Sequence, residues 1–307
     1  MGYDVIGDVH GEAGRLEAML RRLGCVREAG GWLPPRDREV VFVGDLIDYG
    51  PEQERVVEIV RSMIDAGHAH CVLGNHEFNA IGYATLAGDG SGKHLRERSK
   101  KNTDQHSMFL GQVGQGSALH RELVEWFKTL PPTLDLGGIR AVHACWHPTH
   151  VDQIAQQFAR DGAWSERFLQ AAFARSSPEC TALEKLTKGP EIPLPNGHTF
   201  KDHREVERPD VRVKWWHESP RSYRDVAIVE SAQRHIVPDQ LLPGDFERII
   251  VEGGPIFVGH YRMSGVPARM TRQVACLDWS KAEGQPLVAY RWDGEREIDD
   301  AKFVEVR

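Results

Sequence analysis

The chain has 307 residues, 40% hydrophobic and 27% charged, with a formal net charge of −7. That length buries a large core as one big domain or two modest ones, and the composition is that of a globular protein. The negative charge weighs against a general nucleic-acid binder, and no apolar run approaches membrane-spanning length.

The chain enters an apolar run at Tyr3 to Ile6, which predicts a buried strand closed by Gly7. Asp8 and His10 follow, two residues apart, so in an extended segment their side chains point the same way. Leu16, Met19, Leu20 and Leu23 then recur at helical spacing over Glu12 to Leu23, with Gly24 as a stop. Glu39 to Val43 predicts a second strand ending at Gly44-Asp45, and Pro51 opens a helix to Ala66. Cys71-Val72-Leu73 predicts a third strand, ending at Gly74-Asn75-His76. Strands alternating with helices predict a parallel, covered sheet, and such sheets bind ligands at the carboxyl ends of their strands.

From Asn79 to Gly116 the chain is polar and reads as a loop with short helices over the site. Its Lys93–Lys101 charge run reads as a solvated face. Leu119 to Leu130 predicts a helix. Leu134–Leu136 and Ile139–Val142, joined by Gly137-Gly138, predict a hairpin ending at His143. Residues from about 150 to 245 lack the strand-ligand pattern and read as an insertion in a single domain spanning 1–307. Within them, Val151 to Phe173 is an amphipathic helix in two pieces. Val211 to Trp216 is strand-like, its two tryptophans read as lid packing. His147 and His150 read as solvated loop histidines. Ile249-Val251 and Ile256–Val258 lead to Gly259-His260, and Val274–Leu277, Leu287–Trp292 and Phe303–Val306 read as antiparallel strands.

Five cysteines, Cys25, Cys71, Cys145, Cys180 and Cys276, form no CxxC pair and read as buried free thiols. With no charged-then-apolar leader ahead of the first strand, a cytoplasmic location is expected.

Asp8, His10, Asp45, Asn75, His76, His143 and His260 collect at the ends of the predicted strands. Carboxylate, imidazole and amide together suit Mn²⁺, Fe or Zn²⁺ better than Ca²⁺. The group is too large for one metal with an open position and right for two, an arrangement that can bridge a phosphate and activate water.

Gly7-Asp8-Val9-His10-Gly11, Gly44-Asp45-Leu46-Ile47-Asp48-Tyr49-Gly50-Pro51, Gly74-Asn75-His76-Glu77 and Val258-Gly259-His260 resemble, in order, the signature blocks of the calcineurin-like metallophosphoesterases. The resemblance is nearest to the branch of phosphoprotein phosphatases and bacterial diadenosine tetraphosphatases. It implies a four-layer α/β/β/α sandwich, with the 150–245 insertion capping the site. It also implies that Asp8 and His10 bind one metal, that Asp45 bridges both, and that Asn75, His143 and His260 complete the second. His76 then donates a proton to the leaving oxygen, oriented by Asp48, while a metal-bridging hydroxide attacks phosphorus in line.

Where phosphoprotein phosphatases carry two phosphate-gripping arginines, this chain has Tyr49 and Leu73. The absence of those arginines makes protein substrates unexpected and points either to a substrate carrying less charge or to another cation: Arg262, or Lys188, Arg204, Arg212 or Lys214. Cys276-Leu277-Asp278-Trp279 resembles the strand that ends the core of the bacterial tetraphosphatases, without their following glycine. The expected activity is hydrolysis of a phosphoester in a small phosphorylated substrate. The alternatives are a dinucleoside-polyphosphate hydrolase acting on a nucleotide, and a metal-binding regulator without turnover.

Overall fold

The computed structural model describes residues 1–161, 164–201, 206–230, 233–279 and 285–307. The chain opens with β1 (Gly2–Ile6), α1 (Ala13–Arg22), β2 (Val26–Glu28), β3 (Gly31–Leu33), β4 (Arg38–Phe42), α2 (Gln53–Asp65) and β5 (Ala69–Cys71). Four helices follow, α3 (Asn75–Ala84), α4 (Lys100–Gln105), α5 (Ser107–Val113) and α6 (Ala118–Phe127), and then the hairpin β6 (Thr133–Asp135) and β7 (Arg140–Val142). Next come α7 (Pro148–Asp161), α8 (Glu166–Phe173), α9 (Pro178–Lys188), β8 (Glu191–Pro193), β9 (Phe200–Lys201), β10 (Glu207–Arg208), β11 (Asp210–Arg212) and α10 (Tyr223–Val226). The chain closes with β12 (Ile256–Val258), β13 (Val274–Cys276), β14 (Leu287–Trp292) and β15 (Phe303–Val306).

Two sheets organise these elements, in the orders β15-β14-β1-β4-β5 and β13-β12-β7-β6. In the first, β1, β4 and β5 run parallel, β14 runs antiparallel to β1, and β15 pairs antiparallel with β14 and so shares the β1 direction. The period of two along each strand explains the layering. Val5, Val41, Ala141, Phe257, Ala275, Val288 and Tyr290 form one core that joins both sheets face to face. Their neighbours Ile6, Phe42, Val142, Val258 and Cys276 join a second core with Leu16, Val56, Phe127 and Leu186 of the helices. One set of alternates thus lies between the sheets and the other against helices, which is the expected α/β/β/α sandwich. All five cysteines are buried and free. Among the described residues no helix is long and apolar enough to cross a membrane.

Several local expectations change. β13 runs parallel to β12, in the second sheet, instead of joining an antiparallel tail. Buried along its whole length, it carries no alternation that would have told the two apart. The β5 ladder ends before Leu73, whose N–H donates to Pro131 O instead. α3 starts at Asn75, so residues 79–84 are helix, because the Glu77 carboxylate accepts the Gly74 N–H at 3.2 Å and caps the turn. β11 stops at Arg212, since Trp215 turns inward to donate its Nε1–H to Ala144 O and the Tyr261 hydroxyl, both at 3.0 Å. Ile249–Val251 forms no strand.

The 150–245 stretch has a small core of its own, built from Leu194, Val211, Tyr223, Ala227 and Val237. It is pinned to the sandwich by Trp215 and by Trp216, whose ring meets the Tyr261 ring edge-on at 4.9 Å. The two tryptophans therefore pack and do not present a stacking face, in line with the sequence.

Candidate active site

The loops after β1, β4, β5, β7 and β12 bring the candidate residues together. Asp8, His10, Asp45, Asn75, His76 and His260 line one cavity of about 300 Å³. His143 lies fully buried behind it, its Nε2 3.2 Å from the Asp45 carboxylate. His10 Nε2 and His76 Nε2 each stand 3.8 Å from Oδ2 of Asp45. Two donor groups therefore share one carboxylate: His10, Asp45 and His76 on one side, Asp45, His143 and His260 on the other.

The backbone is bent to achieve this convergence. His10, Asp45, Asp48, Tyr49 and His260 have φ between 47° and 71°, a region costly for non-glycine residues and typical of functional sites. At two glycines there is no room for a side chain. A Cβ on Gly259 would lie 1.9 Å from Asp8 Oδ1, and one on Gly74 would lie 2.2 Å from the Asp45 N–H nitrogen. Glu77, fully buried, accepts the N–H groups of Asp45 at 2.9 Å and Leu46 at 2.8 Å and so holds the Asp45 loop in shape.

A second partner orients each imidazole. His10 Nδ1 meets Ile47 O at 2.9 Å and His143 Nδ1 meets Val43 O at 2.7 Å, which turns each Nε2 toward Asp45. Asn75 Oδ1 lies 3.1 Å from His143 Nε2 and 2.6 Å from His260 Nδ1. His76 Nδ1 meets Asp48 Oδ2 at 2.5 Å, leaving its Nε2 facing the cavity.

The electrostatics follow from burial and crowding. Burial pushes Asp8 well above the usual carboxylate range, and neighbouring Asp278 adds to it. Burial also acts on Asp45, yet His143 and His76 outweigh it and hold that carboxyl well below its usual value. His143, opposed by burial but held by Asp45, is drawn up to about 10. His260 is pushed well below its ordinary value by burial and by Arg212. Burial works against ionisation of Asp48, but hydrogen bonds from His106 and His76 bring it down to about 2.

The residues fit a pair of divalent cations. Asp8 Oδ1 and His260 Nε2 are buried at the site without a hydrogen-bond partner among the described residues, and such orphans are rare unless something binds them. Nitrogen and oxygen donors together, with no thiolate, suit Mn²⁺, Fe or Zn²⁺. Because His76 belongs to one of the donor groups, geometry alone gives its Nε2 two uses, as ligand or as proton donor.

Sequence reasoning missed four residues here. His106 Nδ1 meets the other oxygen of Asp48 at 2.7 Å, with 58 residues between the two positions, so nothing local signals it. Glu77 stood in a recognised block, but its loop-holding role appears only in three dimensions. Asp278 is buried, lines the cavity and accepts the Arg262 N–H at 2.8 Å. The signal for Asp278 was present, a carboxylate just after an apolar strand, as at Asp8 and Asp45. The fourth is Arg96, which with Lys101 lines the cavity, so the Lys93–Lys101 run is not simply solvated.

Of the cations expected to face the substrate, Arg262, Lys188 and Arg212 line the cavity, joined by Arg208, while Lys214 is not among its lining residues. Arg204 lies outside the described residues. The Arg262 guanidinium sits 5.3 Å over the ring of Tyr49. His147 is buried, not solvated, with Nε2 2.8 Å from a Glu247 carboxylate oxygen, and His150 belongs to α7. Neither lines the cavity.

This arrangement of two mixed sheets with a histidine-carboxylate site at their strand ends is that of a metallophosphoesterase. The model of the calcineurin-like phosphoesterase family matches residues 1–260, and the chain belongs to that family. It is 42% identical over 76 residues to a bis(5′-nucleosyl)-tetraphosphatase PrpE of Geobacillus thermodenitrificans, covering 25% of this chain and 31% of that one. It is 30% identical over 144 residues to the PrpE of Oceanobacillus iheyensis, covering 47% of this chain and 55% of that one. The chain thus matches between about a third and about half of the length of these curated relatives. Among solved structures, a cold-active protein tyrosine phosphatase aligns with a TM-score of 0.50 at 16% identity, over 96% of this chain and 78% of that one. At that identity the likeness is one of fold.

Proposed function

We propose that this protein is a hydrolase of phosphoester or phosphoanhydride bonds that works with two divalent cations, Mn²⁺ first, with Fe or Zn²⁺ also suited to the donor set. The observation that carries this proposal is the Asp45 carboxylate, placed where two groups of nitrogen and oxygen donors meet. Asp8 and His10 would hold one cation, Asn75, His143 and His260 the other, and Asp45 both. Asp45 draws His143 up against burial, and a divalent cation at the same place would take over that positive charge. Two such ions supply charge neutralisation at the phosphate and acidification of a water.

His76 then acts as general acid. Burial opposes its imidazolium, but Asp45 and then Asp48, which holds its Nδ1–H, outweigh that, so Nε2 can deliver a proton to the leaving oxygen. The 150–245 stretch is a cap, a reading supported by Lys188, Arg208 and Arg212 at the cavity wall. A second reading, hydrolysis of a dinucleoside polyphosphate, is favoured by the names that the relatives carry and by the six cationic side chains around the cavity.

Activity with added Mn²⁺ on p-nitrophenyl phosphate, bis-p-nitrophenyl phosphate and diadenosine tetraphosphate tests the proposal. Turnover is expected on at least one, lost on chelation and restored by metal. On an alkyl phosphate, whose leaving oxygen needs the proton, His76→Ala is expected to lower kcat by about 10²–10⁴-fold with metal content unchanged; loss of a metal would make His76 a ligand. Two bound metals without hydrolysis of any of the three would favour a regulator.

A further inference from the structure

We infer that Arg96 binds a phosphate group of the substrate on the His76 side of the cavity. The site would thereby favour phosphate carrying two or more negative charges near the scissile bond over the singly charged diester. The inference rests on the phosphoesterase proposal above and adds a residue to it. Arg96 lines the same cavity as Asp8, His10 and Asp45. Its backbone N–H donates to Gly82 O at 2.9 Å, docking the loop on α3. Its guanidinium donates to Asn79 Oδ1 at 2.7 Å, Asn102 Oδ1 at 3.0 Å and Gln105 Oε1 at 3.5 Å. Asn79 is one helical turn beyond His76 on α3, so the guanidinium is anchored beside the general acid.

All three partners are neutral amides. Among the described residues Arg96 makes no salt bridge, and its Nε–H finds no acceptor. A half-buried guanidinium without a carboxylate of its own is costly. Asp48, the nearby anion, already has one oxygen on His76 and the other on His106. What remains is the Nε–H, one hydrogen on Nη1 and an unspent positive charge at the cavity wall, donors suited to phosphate oxygens. Arg262, by contrast, is engaged with the Tyr49 ring.

A purely structural Arg96, tying α4 to α3, predicts something different, and the two separate in one experiment. Mn²⁺-loaded wild type, Arg96→Gln and Arg96→Lys are compared for kinetics on p-nitrophenyl phosphate and bis-p-nitrophenyl phosphate. Calorimetric binding of inorganic tripolyphosphate, metal content and unfolding midpoint are measured alongside. Arg96→Gln is expected to raise KM for the monoester and weaken tripolyphosphate binding by about tenfold to a hundredfold. The same change should leave the diester within about threefold, on the grounds that a single charge engages the guanidinium weakly. Arg96→Lys should recover part of the loss, because the charge returns without the guanidinium's fixed donors and its ties to the amides.

Equal losses on both substrates, or unchanged tripolyphosphate binding, overturn the inference, and if Arg96→Gln does not fold, Arg96→Lys carries the same comparison. Arg96-dependent tripolyphosphate binding in a protein that hydrolyses nothing would sink the enzyme proposal and leave this inference standing. Hydrolysis with a wild-type Arg96→Gln would do the reverse.

Discussion

Asp48 meets His76 Nδ1 at 2.5 Å with one oxygen and His106 Nδ1 at 2.7 Å with the other. Asp48→Asn keeps the shape and removes the charge that both imidazoles share. The carboxyl is held at about 2 against an ordinary value of 3.8. A difference of nearly two units corresponds to about 2–3 kcal/mol favouring the ionised form in the folded chain. A depressed carboxylate contributes stability that is present above its unfolded value, near pH 4, and is lost as pH falls through about 2. At neutral pH the variant should therefore unfold at lower urea, by an amount equivalent to about 2–3 kcal/mol. Its stability should also decline less than that of wild type between pH 4 and pH 2.

Kinetics carry the functional half of the prediction. With His76 no longer held and charged by Asp48, kcat on an alkyl phosphate, a poor leaving group, should fall by about 10²-fold or more. The fall on p-nitrophenyl phosphate should be smaller, since p-nitrophenolate leaves with little help from an acid. His106→Phe, which removes only the outer partner, should lower kcat by roughly tenfold at most on the same scale. Metal content should not change in either variant. Equal losses on the two leaving groups, or loss of metal from Asp48→Asn, would refute the assignment of His76 as an acid oriented by Asp48.

Two further predictions concern the frame of the site and of the fold. Gly259→Ala should lower metal content more than stability, measured by atomic absorption and urea unfolding, because its Cβ would displace Asp8 Oδ1. Unchanged metal content would mean that Asp8 is not a ligand. Asp4 is fully buried at the start of β1, taking Arg38 Nη2 at 2.9 Å and Arg291 Nε at 2.9 Å. Asp4→Ala leaves two guanidiniums without their shared partner and should cost about 3–5 kcal/mol in urea unfolding.

The convergence of side chains on Asp45 was legible in the sequence because its grammar is local. Asp8, His10, Asp45, Asn75, His143 and His260 each lie within a few residues of the end of an apolar strand, and a parallel arrangement forces such ends together. The same locality explains the errors. β13 lies fully buried, so its orientation and its sheet depended on partners far along the chain. α3 lies where the sequence reads as a strand end followed by an overhanging loop, because its cap is the Glu77 side chain, which also serves the distant Asp45 loop.

What the tertiary structure alone decided is the far side of the cavity. His106 reaches Asp48, and Arg96 reaches Asn79, only after α3, α4 and α5 have folded over the strand ends. In the sequence, Arg96 is one charge in a run that a solvated helix face would also carry. It differs from its neighbours in being walled by neutral amides beside a histidine and a carboxylate. Strand-end ligands are set by the period of a strand and the turn that follows it, both of which are written in adjacent residues. The partners of a side chain on an overhanging loop are set by which surface that loop packs against, and no short stretch of chain contains that information.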